Sequence, residues 1–358
     1  MRKTRAFLLG NSEEGNVYHV VSRVHGRNRF FGYEEKDWIK GLIYKQCKFS
    51  GVDLLAWCLM DDHFHLVVEV PDQAKALAGM TVDELLSRLA VLSEEHTASV
   101  VLDEIQECRD RGDTEKLAQI AKRLQVRLFD LSAFMKELKL KITLYINALR
   151  GRRGVLWQGP FKSVLIEPGE ALRVMAAYVD LNPLRAGLVD EPGDYSWSSF
   201  GAAERGEKLA RRGLARAVTG DYSLPWPSAR KVYAPLLWGR VKTVEGQKRG
   251  QAGVSPDGWE VDDLRGYSRD EIEAVMQLPD GNESLPLPAV LRCRVRYFTD
   301  GSVLGSEGFV NRFFESRRDH FGKGRVTGAC KMLGARWGDL RSLLDLKKHA
   351  VTLPQLDD

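Results

Sequence analysis

The chain has 358 residues, with 44% hydrophobic and 28% charged residues and a formal net charge of +4. This composition is typical of a soluble globular protein, long enough for one large domain or two ordinary ones. No apolar run reaches the roughly 18 residues of a membrane span. The five cysteines show no CxxC spacing, which argues against a disulfide framework or a zinc site and favours a cytoplasmic protein. The net charge permits a polyanionic partner without requiring one.

The first part of the chain predicts a strand, a helix and a hairpin. Residues 17–24 alternate and are rich in β-formers, so they predict a strand. Residues 34–51 have helical spacing and end at a glycine. Residues 53–60 and 63–71 predict two strands joined by a tight turn at Asp61 and Asp62.

The middle of the chain is mostly helical. Residues 81–127 are charged and leucine-rich, and residues 131–149 predict one long amphipathic helix. A turn and strand follow over 154–168, and then a helix over 169–182 that Pro183 stops or kinks. This order of elements indicates an α+β fold, in which an antiparallel sheet carries helices against one face.

The remainder of the chain predicts a second region. Residues 245–258 are polar and glycine-rich, as in a linker. We therefore expect a first domain over 1–200, with a helical insertion at about 75–130, and a C-terminal accessory region over 201–358. That region is basic, and two interpretations of it stay open: a DNA-contacting domain or a structural cap. Its clustered basic residues are Arg312, Arg317, Arg318, Lys323 and Arg325.

Two histidines stand at alternate positions where the second hairpin strand begins. In a strand, His63 and His65 point to one face, while Phe64 and Leu66 point to the other. Two neutral imidazoles side by side suit a divalent metal ion, but an oxygen ligand must come from elsewhere. A solvated strand face without a metal is the alternative interpretation of this pair.

A second candidate stretch lies in the helix over 169–182. Tyr178 and Asn182 are four residues apart and so share one helix face. The amide oxygen is a suitable ligand for a hard cation, and the phenol is a candidate nucleophile.

The order of these motifs resembles a known family. "HFH" after the hairpin turn, then "LWQGPFKS", "YVDLNPLRAGLV" and "DYSWSSF", looks like the single-tyrosine HUH transposases. The most similar branch is the REP-associated tyrosine transposases, also called insertion-sequence 200-like transposases. The resemblance covers roughly residues 15–200 and is interrupted by the long helical stretch.

This resemblance implies a ferredoxin-like sheet with the histidine pair on a central strand. It implies that His63, His65 and Asn182 bind Mg²⁺ or Mn²⁺, and that Tyr178 is the catalytic nucleophile. The activity would be cleavage and strand transfer of single-stranded or hairpin DNA through a 5′-phosphotyrosine. It further implies a nucleoid-associated cytoplasmic protein, with a homodimer as one assembly, and no membrane partner.

DNA of this kind needs a basic track with aromatic stacking surfaces. Three tracts near the proposed site offer one, and a solvated charged loop is the alternative for each. The expected DNA-binding residues are Arg23, Arg27, Arg29, Arg150, Arg152, Arg153, Trp157, Lys162 and Arg185.

The sequence also departs from the family pattern. Asp61 and Asp62 replace the usual Pro-Asn, Asp180 replaces a common histidine, and Pro160 replaces a basic residue. Added acids near a phosphate site could strengthen metal binding or repel DNA. The competing hypothesis is therefore a non-catalytic binder of repetitive hairpin DNA that is derived from such a transposase.

Overall fold

The computed structural model describes residues 15–92, 94–238, 267, 269–277, 285–300 and 303–353. The linker expected over 245–258 lies outside the described residues. In the part of the chain that is described, no helix combines the length and the apolar character needed to cross a bilayer.

Seven strands form one mixed sheet in the order β2-β3-β1-β4-β6-β8-β7. The strands of this sheet are β1 (Asn16–Arg23), β2 (Asp53–Leu59), β3 (His63–Val70), β4 (Lys162–Ile166), β6 (Val303–Gly305), β7 (Cys330–Lys331) and β8 (Arg341–Ser342). A separate antiparallel pair joins β5 (Arg294–Val295) to β9 (Val351–Thr352).

The first four strands have the order and directions of a ferredoxin-like sheet. β3 lies between β1 and β2, and β4 lies on the other side of β1, with every pairing antiparallel. The α+β class and the central position of the histidine strand are therefore confirmed. The predicted hairpin is correct, and its turn consists of Asp61 and Asp62.

The first helices follow the predicted pattern closely. α1 (Tyr33–Ser50) ends at Gly51, which adopts a left-handed conformation with φ of 72° and so permits the helix to stop there. α6 (Leu131–Leu149) is capped by the Asp130 side chain, which accepts a hydrogen bond from the Ala133 backbone N–H. Phe134, Met135, Leu138, Ile142 and Ile146 form its buried stripe.

Helices lie on both faces of the sheet, so the prediction of a single covered face was wrong. On one face, Trp157 contacts the Phe64 ring and donates from its indole N–H to the Lys139 carbonyl of α6. On the other face, α7 (Glu170–Asp180) packs against β2 and β3. α9 (Ser199–Glu204) and α10 (Lys208–Thr219) contact the edge strand β2, and α8 (Asn182–Arg185) and α11 (Trp226–Trp238) contact α7. β3 is consequently buried on both faces, and the alternation in its sequence does not mark a solvated side.

The helical stretch after β3 forms a satellite core of its own. It consists of α2 (Gln73–Ala78), α3 (Val82–Ala90), α4 (His96–Arg111) and α5 (Thr114–Gln125). Their buried apolar residues pack together with Phe49 and Phe129, which connect this cluster to the main body of the protein.

The C-terminal elements continue the same sheet and the same core. β6 pairs in parallel with β4 through Leu165 and Ile166, and apolar residues of both regions form one buried cluster. The helices here are α12 (Arg269–Met276), α13 (Leu287–Val290), α14 (Arg296–Thr299) and α15 (Glu307–Ser316). One consequence is that α14 lies next to β4, close to the histidine strand.

Candidate active site

The histidine pair lies at the start of β3, an interior strand of the sheet, and is buried. In the β1–β3 register, His63 is opposite Arg23 and His65 is opposite Val21. The two imidazole ring centroids are 5.1 Å apart, and the side chains are 3% and 4% exposed. The pair is therefore not a solvated strand face.

A third histidine, from β1, extends the pair into a row. His19 is opposite Val67, next to His65 on the same face of the sheet. Its Nε2 lies 2.8 Å from Nδ1 of His65, and its Nδ1 lies 2.9 Å from the carbonyl oxygen of Phe298. The sequence analysis missed His19, although its place in an alternating strand was a usable signal.

The environment keeps all three imidazoles neutral. Burial lowers the pKa of His19 to about 4, and the positive charge of Arg185 acts in the same direction. Burial likewise lowers the pKa of His63 and, by more, that of His65. Neutral imidazoles are the form that can ligate a metal ion.

The two extra acids of the hairpin turn have local partners. Asp62 accepts hydrogen bonds from Arg23 and from Nδ1 of His63. These two partners hold the pKa of Asp62 below its usual value despite partial burial. Asp61 is paired with the ammonium group of Lys36. Neither acid adds an unpaired negative charge to the site.

Tyr178 lies on α7 between an aromatic ring and a guanidinium group. The Phe298 ring contacts it edge-on at 4.9 Å between centroids, and the Arg185 guanidinium lies 3.8 Å from its ring centre. The tyrosine is 3% exposed. Its hydroxyl forms no hydrogen bond to any residue that the structure describes. Phe298, which the sequence analysis did not single out, thus contacts both Tyr178 and the histidine row.

Asp180 has a structural role away from the phenol. One carboxylate oxygen accepts hydrogen bonds from the Ser199 hydroxyl and the Phe200 backbone N–H, and the other accepts one from the Tyr233 hydroxyl. Burial raises the pKa of Asp180 to about 6, while these donors oppose the shift. Both of its oxygens are engaged in joining α7 to α9 and α11.

The protein itself supplies only some of the ligands that a divalent cation needs. Among the described residues, no group of three or more His, Cys, Asp and Glu side chains could hold a metal ion. The expected third ligand is an amide, Asn182, the first residue of α8. Its Nδ2 is buried and lacks a hydrogen-bond partner. Nδ2 is a hydrogen-bond donor and not a metal ligand, so the cation would take the amide oxygen of Asn182. Two neutral imidazoles and an amide oxygen suit a cation that keeps some ligands from substrate or water.

The expected DNA-binding residues separate into exposed and buried groups. Arg27, Arg29, Arg150, Arg153 and Lys162 are exposed, although Arg150 is paired with Glu35 and Lys162 with Asp300. Arg29 and Arg153 form no ion pair with any described residue. They therefore present free charge to a polyanion.

The other expected contacts are occupied within the protein. Trp157 is 7% exposed and its indole N–H is bonded to α6, so its ring is not a free stacking surface. The Arg152 guanidinium lies over the Phe30 ring at 4.7 Å. Arg185 is buried and donates to the Leu291 carbonyl, and burial lowers its pKa.

Comparison with known proteins finds a family that matches the first part of the chain. Residues 13–85 match the family described as "Transposase IS200 like". This supports the IS200-like transposase family recognised in the sequence. The matched segment contains β1, α1, β2 and β3, and thus all three histidines of the row. A search of the curated proteins found no match.

One solved structure is similar to this chain. It is described as the REP-associated tyrosine transposase bound to a REP hairpin, with 14% sequence identity and a TM-score of 0.35. The similarity covers 57% of this chain and 87% of that chain.

Proposed function

We propose that this chain is a metal-assisted transposase that cleaves and rejoins single-stranded or hairpin DNA, with Tyr178 as its nucleophile. The observation that carries the proposal is the position of Phe298. Its ring contacts Tyr178 and its carbonyl accepts a hydrogen bond from His19, which is bonded to His65. The phenol and the histidine pair, more than a hundred residues apart in sequence, are thus joined by the contacts of one residue.

The chemistry proposed for Tyr178 is a transesterification. Its phenol oxygen attacks a backbone phosphorus, an O–P bond forms, and the bond to the 3′ oxygen of the preceding nucleotide breaks. The phenol loses its proton and the leaving 3′ oxygen gains one, so no nucleotide cofactor is required. The Arg185 guanidinium, 3.8 Å from the ring centre, would stabilise the negative charge that develops on the phosphate during the attack.

His63, His65 and Asn182 would hold the Mg²⁺ or Mn²⁺ ion. When bound there, the cation would polarise the scissile phosphate and offset the negative charge that develops on it. The two histidines contribute neutral nitrogens because burial lowers their pKa values.

Two buried donors in the segment that follows Tyr178 suit phosphate oxygens. The Nη2 of Arg185 and the Nδ2 of Asn182 are both buried without a hydrogen-bond partner. Within the described residues, no carboxylate pairs with Arg185, and only the Leu291 carbonyl accepts from it. A phosphate oxygen would satisfy such a donor and neutralise the buried charge.

The test is the formation of a covalent adduct. The protein is incubated with labelled hairpin DNA and Mn²⁺ and then separated under denaturing conditions. We expect the wild type to retain label, Tyr178→Phe to retain none, and His63→Ala to lose most of it. Tyr33→Phe is the matched control, because Tyr33 is 73% exposed and lies outside the site. Label in Tyr178→Phe would show that another nucleophile acts.

The burial of the site favours one alternative, a non-catalytic binder of repetitive hairpin DNA. Tyr178 is 3% exposed under Phe298 and Arg185, so DNA must displace these side chains before it can reach the phenol. A protein that binds labelled hairpin DNA in Mn²⁺ but never forms the adduct would support the binder.

The cellular location follows from the DNA substrate that we propose. We expect the protein to accompany DNA in the cytoplasm as a nucleoid-associated protein, and a homodimer is one of the two assemblies, monomer or dimer, that stay open for it. Sedimentation of the protein with and without hairpin DNA would test the dimer.

A further inference from the structure

The His19 and His65 rings are aligned end to end. Their planes differ by only 6°, their centroids are 5.1 Å apart, and the Nε2–Nδ1 distance is 2.8 Å. At that spacing the two nitrogens lie between the ring centres, close to the line that joins them. This is the in-plane geometry of a ring N–H hydrogen bond and not that of stacked faces.

The far end of this row fixes the direction of its hydrogen bonds. The Phe298 carbonyl oxygen, 2.9 Å from Nδ1 of His19, can only accept a hydrogen bond, so Nδ1 of His19 carries the proton. In a neutral imidazole the other nitrogen is then an acceptor. Nε2 of His19 therefore accepts from His65, and Nδ1 of His65 is the donor.

The reverse direction would require a doubly protonated His19. That cation would be 1% exposed, and the described residues offer it no carboxylate, since its two ring nitrogens face Phe298 and His65. Burial and the nearby charge of Arg185 both disfavour it. The neutral arrangement is the one that the surroundings support.

We propose that His19 is a positioning residue that holds the proton of His65 on Nδ1 and leaves Nε2 of His65 bare for a metal ion. The Phe298 carbonyl, from the C-terminal region, sets the direction of this relay. The inference rests on the proposed function, because it assigns a purpose to the tautomer of a proposed ligand.

The second histidine has an equivalent arrangement with a different partner. Nδ1 of His63 donates to the Asp62 carboxylate, which leaves Nε2 of His63 bare. Both members of the pair thus carry their protons on Nδ1. Partners that orient ligand histidines in this way typically raise metal affinity 10–100-fold. The site is consequently built from three separate parts of the chain: β1, the β2–β3 hairpin and the segment that contains Phe298.

The first experiment determines the tautomer of His65 without any metal. Two-bond ¹⁵N–¹H correlation spectra of the full chain report which nitrogen of each of its seven histidines is protonated. His65→Gln assigns the His65 signal by its loss. We expect the wild type to carry the proton on Nδ1, and His19→Phe to move a large share of it to Nε2. His19→Gln should preserve the wild-type tautomer, because an amide offers one donor and one acceptor.

The second experiment measures Mn²⁺ affinity by calorimetry on three of these proteins: the wild type, His19→Phe and His19→Gln. We expect at least a 10-fold weaker Kd in His19→Phe and near wild-type affinity in His19→Gln. A wild-type His65 with its proton on Nε2, or a tautomer unchanged in His19→Phe, would overturn the inference. If His19→Phe does not fold, the wild-type and His19→Gln spectra decide the question.

The metal-assisted function and the positioning role of His19 can be refuted independently of each other. The expected tautomers together with no Mn²⁺ binding in the wild type would remove the metal-assisted function and leave the relay as a structural hydrogen bond. Mn²⁺ binding that is equally strong in all three proteins would leave the function and remove the positioning role of His19.

Discussion

The guanidinium carbon of Arg185 lies 3.8 Å from the centre of the Tyr178 ring. Both residues are buried, and no carboxylate among the described residues neutralises the arginine. A buried cation without an anionic partner lowers the stability of the fold. We infer that it is retained because function requires it. We therefore infer that a substrate anion is the missing partner of Arg185.

We expect Arg185→Met to weaken binding of single-stranded DNA by about tenfold, because a buried charge–phosphate contact contributes about 1.4 kcal/mol or more. Thermal stability should remain near that of the wild type, because the replacement fills the space and removes an unpaired charge. Arg185→Lys keeps the charge and should retain most of the affinity. Fluorescence anisotropy with a labelled hairpin measures both variants. Wild-type affinity in Arg185→Met would contradict a phosphate contact.

Asp180 should be important for stability and not for catalysis. Asp180→Ala leaves the Ser199, Phe200 and Tyr233 donors without an acceptor, so we expect a loss of about 3 kcal/mol in the free energy of unfolding. Asp180→Asn keeps one acceptor oxygen, and the Tyr233 hydroxyl can rotate to accept from its amide. For Asp180→Asn we expect a loss of no more than about 1 kcal/mol in the free energy of unfolding. Urea denaturation measures both, and equal losses would show that the network is not what stabilises this region.

Acid should affect the histidine row and Asp180 in opposite directions. His19 has a pKa of about 4 when folded and 6.5 ordinarily, so the unfolded chain binds more protons between these values. Stability from this group is complete above pH 6.5 and is lost as the pH falls towards 4. Asp180 has a pKa raised from 3.8 to about 6, so the folded chain binds the extra proton and gains stability as the pH falls through that range.

The two effects partly cancel in the wild type. We therefore expect the free energy of unfolding to fall more steeply from pH 7 to pH 5 in Asp180→Asn than in the wild type. In His19→Gln the fall should be smaller than in the wild type. Urea denaturation at the two pH values tests this, and the same slope in all three proteins would contradict these assignments.

The free arginines of the surface should contribute to DNA binding through charge alone. Arg29→Ala and Arg153→Ala should each reduce the slope of log K against log salt by about 0.7, the value for one single-strand phosphate contact. Lys122→Ala is the matched control, an exposed basic residue on α5 in the helical insertion. An equal change in the control would indicate a general charge effect and not a defined track.

The C-terminal region should be required for a stable fold. A chain that ends at residue 200 loses the β6 partner of β4 and the Phe298 carbonyl that bonds to His19. We expect it to bind hydrophobic dyes and to unfold without a cooperative transition, whereas the full chain should unfold cooperatively. A truncated chain with a sharp transition near that of the full chain would support the division of domains at residue 200.

The sequence by itself determined many of the elements and the resemblance to the IS200-like transposases. Periodicity predicted β1, α1, the β2–β3 hairpin and α6, because burial of one face imposes a repeat that a single segment reveals. The same alternation placed His63 and His65 on one face of a strand. The pattern of a single strand could not show that this face is buried, because its burial depends on which helices pack against it.

Only the tertiary structure decided the surroundings of those side chains. Phe298 reaches both Tyr178 and His19 because β6 joins the sheet beside β4, a pairing between residues far apart in sequence. The partners of Asp62, Asp180 and Trp157 were likewise hidden, because hydrogen bonds and burial depend on distances that the order of residues does not fix. Local periodicity thus specified which residues share a face, and long-range packing specified what each of them contacts.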